Sequence, residues 1–243
     1  MKALIINGSP RGGASGTLRI ARAFASGFGG EVELREITLA KMDIRPCRGC
    51  FCCWTTSPGR CVVPDDMEEI YPLLEESDVI IESFPLYFFG MPSVMKAMTD
   101  RTLPLAEPYR PREGRSFHRI RAPRLLSHRL VVISSCGFVS APEMYASLDR
   151  QLEGICGGVL PTRIYCSQGE LLTQLGERRQ TRAYLELAHR AGSEFFTGGE
   201  ITAQTAAALS RPILSEKAFS ALTGHRWYNE EVKTSENEEN LYV

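Results

Sequence analysis

The sequence predicts an α/β domain in which helices cover both faces of a five-stranded parallel sheet. Short apolar runs alternate with helical periodicities along most of the chain, the pattern of strands joined by crossover helices. With 243 residues, 43% hydrophobic and 23% charged, the chain has the ordinary composition of a soluble globular domain with a sizeable core. Directly after the first apolar run comes a turn rich in glycine and hydroxyl residues, suited to leading from a strand end into a helix.

Taken in order, Ala3-Leu4-Ile5-Ile6 reads as a buried strand. Residues Thr17 to Phe28 form a helix with Leu18, Ala21, Ala25 and Phe28 on one face. The alternation from Val32 to Ile37 predicts a second strand. Asp65-Asp66 opens a helix running to about Glu76, where acidic groups favour the positive dipole end. Val79-Ile80-Ile81 is a third strand and Pro92 to Thr102 a helix. Asp100-Arg101 at its end reads as an ion pair holding the preceding loop. Leu130 to Ser134, Pro142 to Ile155, Val159 to Tyr165 and Arg179 to Phe196 are read as strand, helix, strand and helix. Five such strands suit a doubly wound, flavodoxin-like domain of order 2-1-3-4-5 over residues 1–198, with its ligand at the carboxyl ends of the strands. After Gly198-Gly199 the pattern changes. Thr202 to Leu209 and Ser215 to Thr223 predict a C-terminal helical extension over 199–232, and the polar 233–243 a disordered tail.

The net charge of −1 gives no general attraction to nucleic acid or anionic membrane. The apolar run before Asn7-Gly8 is only four residues long, too short for a signal peptide, and no later segment reaches the ~18 apolar residues of a membrane span. The expected compartment is the cytoplasm, where thiols stay reduced and clustered cysteines more often bind metal or do redox work.

The first loop, NGSPRGGASGT, places Ser9, Arg11, Ser15, Gly16 and Thr17 at a helix start, a natural anion site. It lacks the Gly-Lys-Ser/Thr of a triphosphate loop and the G-x-G-x-x-G of a dinucleotide fold. No cysteine has arginine at the C-x5-R spacing of a phosphatase loop. A monophosphate fits better, and FMN is the monophosphate expected at this sheet order. The loop after the third strand, Pro85, Leu86, Tyr87, Phe88, Phe89 and Gly90, offers apolar and aromatic surface for a flat ring.

INGSPRGGASGT, PCRGCFCCW…GRCVVPDDM and PLYFFGMPSVMKAMTDR, in that order, resemble the flavodoxin-like NADPH-dependent FMN reductases, and more narrowly their iron–sulfur flavoprotein branch. The resemblance covers roughly residues 1 to 170. It implies FMN with its phosphate on Ser9, Arg11, Ser15, Gly16 and Thr17, and its ring against Pro85 to Gly90 with Tyr87 most exposed to it. It places Ser135, Cys136 and Gly137, from SSCGF, along the third side of the ring, with Cys136 as wall rather than nucleophile. It also implies a homodimer or homotetramer with the flavin near a subunit boundary.

Five of the eight cysteines fall between residues 46 and 61. Cys47, Cys50, Cys53 and Cys61 have a compact spacing of the kind that holds a [4Fe–4S] cluster, and the resemblance implies these four as its ligands. The run departs from the ferredoxin pattern: seven residues precede Cys61 and no proline follows it. Cys52 is a spare that could replace Cys53 or simply be buried. Zinc, metal-free thiols and a redox disulfide remain alternatives.

Residues 104–129 form a basic insert with seven arginines against two glutamates. Its arginines, Arg119 and Arg121 among them, could meet the adenosine phosphate of NADPH or an acidic acceptor, or form a solvated excursion. No base-reading motif accompanies them, so nucleic acid is not an expected partner. The function expected is an FMN-dependent NAD(P)H oxidoreductase, with a nicotinamide nucleotide and a small-molecule or protein electron acceptor as partners. The alternatives are an iron–sulfur flavoprotein carrier serving ferredoxin-like partners without nicotinamide turnover, and a zinc- or thiol-based sensor.

Overall fold

A computed structural model of the chain describes residues 1–108, 121 and 128–227. Most of the basic insert, with Arg119, and the expected tail 233–243 lie outside the described residues.

Five strands, β1 (Lys2–Asn7), β2 (Glu33–Thr38), β3 (Val79–Pro85), β4 (Arg129–Ser135) and β5 (Thr162–Cys166), form one sheet of order β2-β1-β3-β4-β5. All neighbouring pairs are parallel. This is the order expected from the sequence, with β1, β3 and β4 buried at the centre and β2 exposed at an edge. The helices are α1 (Gly16–Ser26), α2 (Met67–Glu76), α3 (Ser93–Asp100), α4 (Ala146–Ile155), α5 (Leu171–Gln174), α6 (Arg179–Gly198), α7 (Ala203–Leu209) and α8 (Glu216–Trp227). Among the described residues no helix is long and apolar enough to cross a membrane.

Side chains alternate across the strands and build two apolar layers. One packs Ile5, Ile81 and Ile133 under α1, α6 and α7; the other packs Ile6, Phe84 and Val132 under α2, α3 and α4. Close helix approach sets the first layer. A Cβ on Gly192 of α6 would lie 1.8 Å from the Phe24 carbonyl oxygen of α1, so only glycine fits there. The C-terminal segment is bound into this layer. Tyr184 donates to the Leu209 carbonyl at 3.1 Å, and Glu194 accepts from the Thr202 N–H and hydroxyl at 3.0 and 2.9 Å.

The elements differ from the sequence reading at several places. The fifth strand begins at Thr162 rather than Val159, because Gly157 and Gly158 take positive φ and Pro161 has no N–H to give to a ladder. The helix read from Pro142 opens as a 3₁₀ turn, Pro142–Tyr145, before α4. The short α5 was not expected.

One residue on β3 is out of character with its layer. Glu82 pairs in register with Ile6 and Val132, on the strand face shared with Phe84. Burial pushes its carboxyl up to about 7.

Candidate cofactor site and cysteine loop

The loops after β1, β3 and β4 meet at the carboxyl edge of the sheet, where β1 and β3 diverge into opposite crossovers. Asn7, fully buried at the end of β1, shapes the first loop: its side chain donates to the Gly12 carbonyl at 2.9 Å and accepts from Ser9 N at 3.1 Å. Ser9, Ser15 and Thr17 are buried rather than turned to solvent. Ser9 Oγ accepts from Arg11 N and Ser15 Oγ caps α1 by accepting from Leu18 N, each at 3.3 Å. Because both hydroxyls accept here, each keeps its own O–H to donate to an anion. Thr17 and Ser135 hydroxyls share a hydrogen bond of 2.5 Å, which ties the first loop to the fourth. Arg11 is exposed beside them. With the unpaired N–H groups of the first turn of α1, the residues present fit a phosphate.

The β3 loop joins the same edge. Leu86 N donates to the Ser135 carbonyl at 2.8 Å, and Tyr87 and Gly90 exchange reciprocal 3.0 Å backbone bonds around a two-residue turn. Phe88 and Phe89 occupy that turn with φ of 46° and 62°. Side chains larger than Asn rarely adopt this left-handed region, and such strain collects where a loop serves a site. Phe88 is fully exposed; Phe89 stacks on Phe138 of the β4 loop with ring centroids 6.1 Å apart. Pro85 and Leu86 are partly buried at the base. Flat apolar surface faces outward here, which suits an aromatic ring system.

Cys136 is buried, and burial pushes its thiol up, which disfavours the thiolate a nucleophile needs. A Cβ on Gly137 would meet nothing, so that side of the loop is open. Sequence reasoning missed the β5 loop. Gln168 there is buried with φ of 56°; its N–H donates to the Phe138 carbonyl at 3.0 Å and Gly169 N to the Cys136 carbonyl at 2.8 Å. A Cβ on Gly169 would sit 2.5 Å from Ser135 Cβ, so glycine is required for the loops to close up. Gln168 also exchanges two side-chain bonds with Leu214, at 3.0 and 2.8 Å, linking the site to the C-terminal segment. No local pattern announces a residue whose partners lie so far along the chain.

The cysteine loop stands beside α3. Its five cysteines are free thiols: Cys47 and Cys50 exposed, Cys52 and Cys61 partly buried, Cys53 buried. Burial, and then the proximity of Cys61, Cys47 and Cys50, raise the Cys53 thiol. Hydrogen bonds from Cys52 lower Cys50. Among the described residues no three His, Cys, Asp or Glu side chains converge on a ready-made metal position. The chemistry of the donor set still fits a thiophilic group, since Cys61, Cys47 and Cys50 all lie near enough to Cys53 to raise its thiol. Trp54 Nε1 donates to the Leu103 and Ala106 carbonyls at 3.2 and 2.9 Å, and its ring stacks on Phe51 at 5.2 Å.

Asp100 and Arg101 do not pair with each other. Asp100 takes Lys96 one turn back, and Arg101 turns inward to Asp65, since adjacent helix residues point apart. The Arg101 fork meets Asp65 Oδ2 and Oδ1 at 2.6 and 2.9 Å, both side chains being essentially inaccessible. Burial opposes the Asp65 charge, but hydrogen bonds from Arg101 and from the Arg45 and Met67 N–H groups outweigh it and lower the carboxyl pKa. Arg121, one of the arginines expected near the adenosine phosphate of NADPH, packs beside Gly59 of the cysteine loop, and its backbone N–H donates to the Leu105 carbonyl at 2.8 Å.

The family model for NADPH-dependent FMN reductase matches residues 1–142. The chain is 36% identical over 105 residues to an iron–sulfur flavoprotein of Methanocaldococcus jannaschii, covering 43% of this chain and 53% of that protein. It is 41% identical over 106 residues to an iron–sulfur flavoprotein of Archaeoglobus fulgidus, covering 43% and 46% respectively. The chain thus spans about half the length of the curated relatives it matches. An FMN-dependent NADH-azoreductase from Bacillus anthracis superposes with TM-score 0.55 at 14% identity, over 80% of this chain and 98% of that one. An NAD(P)H:quinone oxidoreductase from Methanothermobacter marburgensis does so with TM-score 0.56 at 17% identity, over 80% and 96%. These two structures share the fold.

Proposed function

This chain belongs to the NADPH-dependent FMN reductase family, and we propose that it is an FMN-dependent NAD(P)H oxidoreductase of the iron–sulfur flavoprotein branch. What carries this function is the meeting of three loops at one sheet edge: a hydroxyl-lined helix start, a strained aromatic turn and the Ser135–Gly137 wall, joined by the Thr17–Ser135 and Leu86–Ser135 bonds.

In this function Ser9 and Ser15 donate their free O–H groups to the FMN phosphate while the N-terminus of α1 and Arg11 supply positive charge. Gly16 and Thr17 hold that helix start against the β4 and β5 loops. Pro85, Leu86 and Tyr87 to Gly90 present the apolar face for the ring, and Ser135, Cys136 and Gly137 line its edge. Bound here, FMN would supply hydride acceptance from NAD(P)H and release of the electrons singly or in pairs. The chain contributes positioning and exclusion of water; no side-chain acid or base is assigned. Cys47, Cys50, Cys53 and Cys61 would hold a [4Fe–4S] cluster, which would supply one-electron chemistry toward the acceptor. A homodimer or homotetramer would cover the exposed Phe88 and Phe89, and the cytoplasm would keep the thiols reduced.

The test is an absorption spectrum of anaerobically purified protein, with iron, acid-labile sulfide and zinc counted per FMN, followed by steady-state NADPH and NADH oxidation. Flavin bands with turnover support the oxidoreductase, and about four irons and four sulfides support the cluster. Absence of flavin after FMN is added back overturns the site. Flavin and cluster without nicotinamide turnover would favour the electron carrier, a role compatible with the names of the two curated relatives.

A further inference from the structure

Arg101 is the largest fully buried side chain in the described residues, yet it sits outside the loops that form the candidate flavin site. It stands at the C-terminal end of α3, the helix that begins directly after the aromatic turn. Besides Asp65, its guanidinium donates to the Arg45 carbonyl at 2.8 Å and the Val63 carbonyl at 3.2 Å. Arg45 immediately precedes the 46–61 cysteine loop, and Val63 and Asp65 follow it. One cation therefore grips both ends of the loop. The closure is reinforced by Asp65, which also accepts from Arg45 N at 2.9 Å, and by Tyr71, whose hydroxyl donates to the Arg101 carbonyl at 2.7 Å. Arg101 Nε remains: it is buried and, among the described residues, meets no acceptor. Burial opposes the Arg101 charge, but Asp65, and after it the nearby Cys61, outweigh that and favour the charged guanidinium.

We propose that Arg101 is the positioning residue of the cysteine loop, locking both ends of the loop to α3 and holding its Nε–H in reserve for a sulfur-bound group there. The proposal deepens the function given above by naming what joins its two redox elements. An eight-residue helix is about 12 Å long, so α3 fixes the spacing between the aromatic turn at one end and the base of the cysteine loop at the other. Lysine cannot replace the clamp. It carries the charge but not the planar fork that reaches one carboxylate and two carbonyls together.

The experiment uses the full chain loaded with FMN and stripped of metal under anaerobic conditions. Arg101→Lys, Asp65→Asn and, as a matched surface control, Lys96→Ala are compared with the parent. The rates of iodoacetamide labelling at Cys53 and Cys61 are followed by peptide mass spectrometry, beside FMN per chain and the thermal midpoint. Labelling at least tenfold faster at Cys53 and Cys61 in Arg101→Lys and Asp65→Asn, with FMN content retained and Lys96→Ala unchanged, is the expected result. Labelling within twofold of the parent overturns the clamp. Equal loss of FMN and of thiol protection in both clamp variants also overturns it, since Arg101 would then hold the whole domain rather than the loop. After reconstitution with iron and sulfide, a lower reduction potential for Arg101→Lys supports the reserved Nε–H, and an unchanged one removes that part. If the parent itself binds no FMN, the proposed function fails while the labelling comparison still reads the clamp.

Discussion

Replacing Glu82 by Gln should stabilise the protein above neutral pH and leave it unchanged in acid. Glu82 occupies a central strand between Ile6 and Val132, and burial alone raises its carboxyl from 4.5 to about 7. An acid whose pKa is raised in the folded state favours the protonated form there. Below about pH 4.5 both folded and unfolded chains carry the proton, so Glu82 costs nothing as a charge. Between about 4.5 and 7 the unfolded chain releases its proton first, and stability falls as pH rises, by about 1.4 kcal/mol per unit; above 7 the loss is complete. A shift of this size corresponds to about 3 kcal/mol, and partial exposure of the residue reduces the expected value to about 2 kcal/mol. The assay is urea unfolding of parent and Glu82→Gln from pH 4.5 to 8.5, read as the difference between the two. A difference near zero at pH 4.5, growing to about 2 kcal/mol by pH 8, is expected. A difference that stays flat with pH would show that Glu82 is not held protonated by its surroundings, and the reasoning from burial would be wrong.

Other perturbations probe different parts of the molecule. Glu194 accepts from Thr202, Thr205 and Arg190, and these bonds, against the opposing effect of burial, hold its carboxyl at about 2. That stability is present above about pH 4.5 and is lost as pH falls through 2. Glu194→Gln should cost about 1–2 kcal/mol in urea unfolding at pH 7, with the penalty shrinking toward pH 2. Phe88→Gly relieves a left-handed backbone position at a side chain that packs on nothing, so the thermal midpoint should rise by the equivalent of about 0.5–1 kcal/mol. The same change should raise the KM for flat aromatic acceptors, and a lowered midpoint would contradict the strain. Arg121→Ala should raise the KM for NADPH more than that for NADH if its charge meets the 2′-phosphate; equal effects on the two would leave Arg121 as packing beside Gly59.

The central strands were legible because buried parallel strands are written as nearly continuous apolar runs, and Ala3 to Ile6 and Val79 to Ile81 have no competing reading. The start of β5 was not, because Val159-Leu160 looks like strand until the Gly-Gly turn before it and Pro161 after it are weighed as backbone constraints. Four residues of α5 are too few for any periodicity to declare itself. At the candidate site the residue types were visible but not their orientation. Ser9, Ser15 and Thr17 could be named from spacing, whereas the bonds that fix Ser9 to Asn7 and Thr17 to Ser135 appear only in the folded chain. Arg101 shows the limit most plainly. Its neighbour in sequence carries the right charge, but its partner in space lies 36 positions earlier, and only the folded chain brings the two together.

Trp54 gives the cysteine loop an optical signal of its own. It is one of only two tryptophans in the chain, and its indole is fixed by two carbonyls of the segment after α3 while its ring lies on Phe51, within the cysteine run. Indole emission responds to hydrogen bonding and to the polarity around the ring, so loosening of this loop will appear as a change in ultraviolet fluorescence. With Trp227 replaced by Phe, opening and closing of the loop could be followed in real time, in solution and without an attached dye.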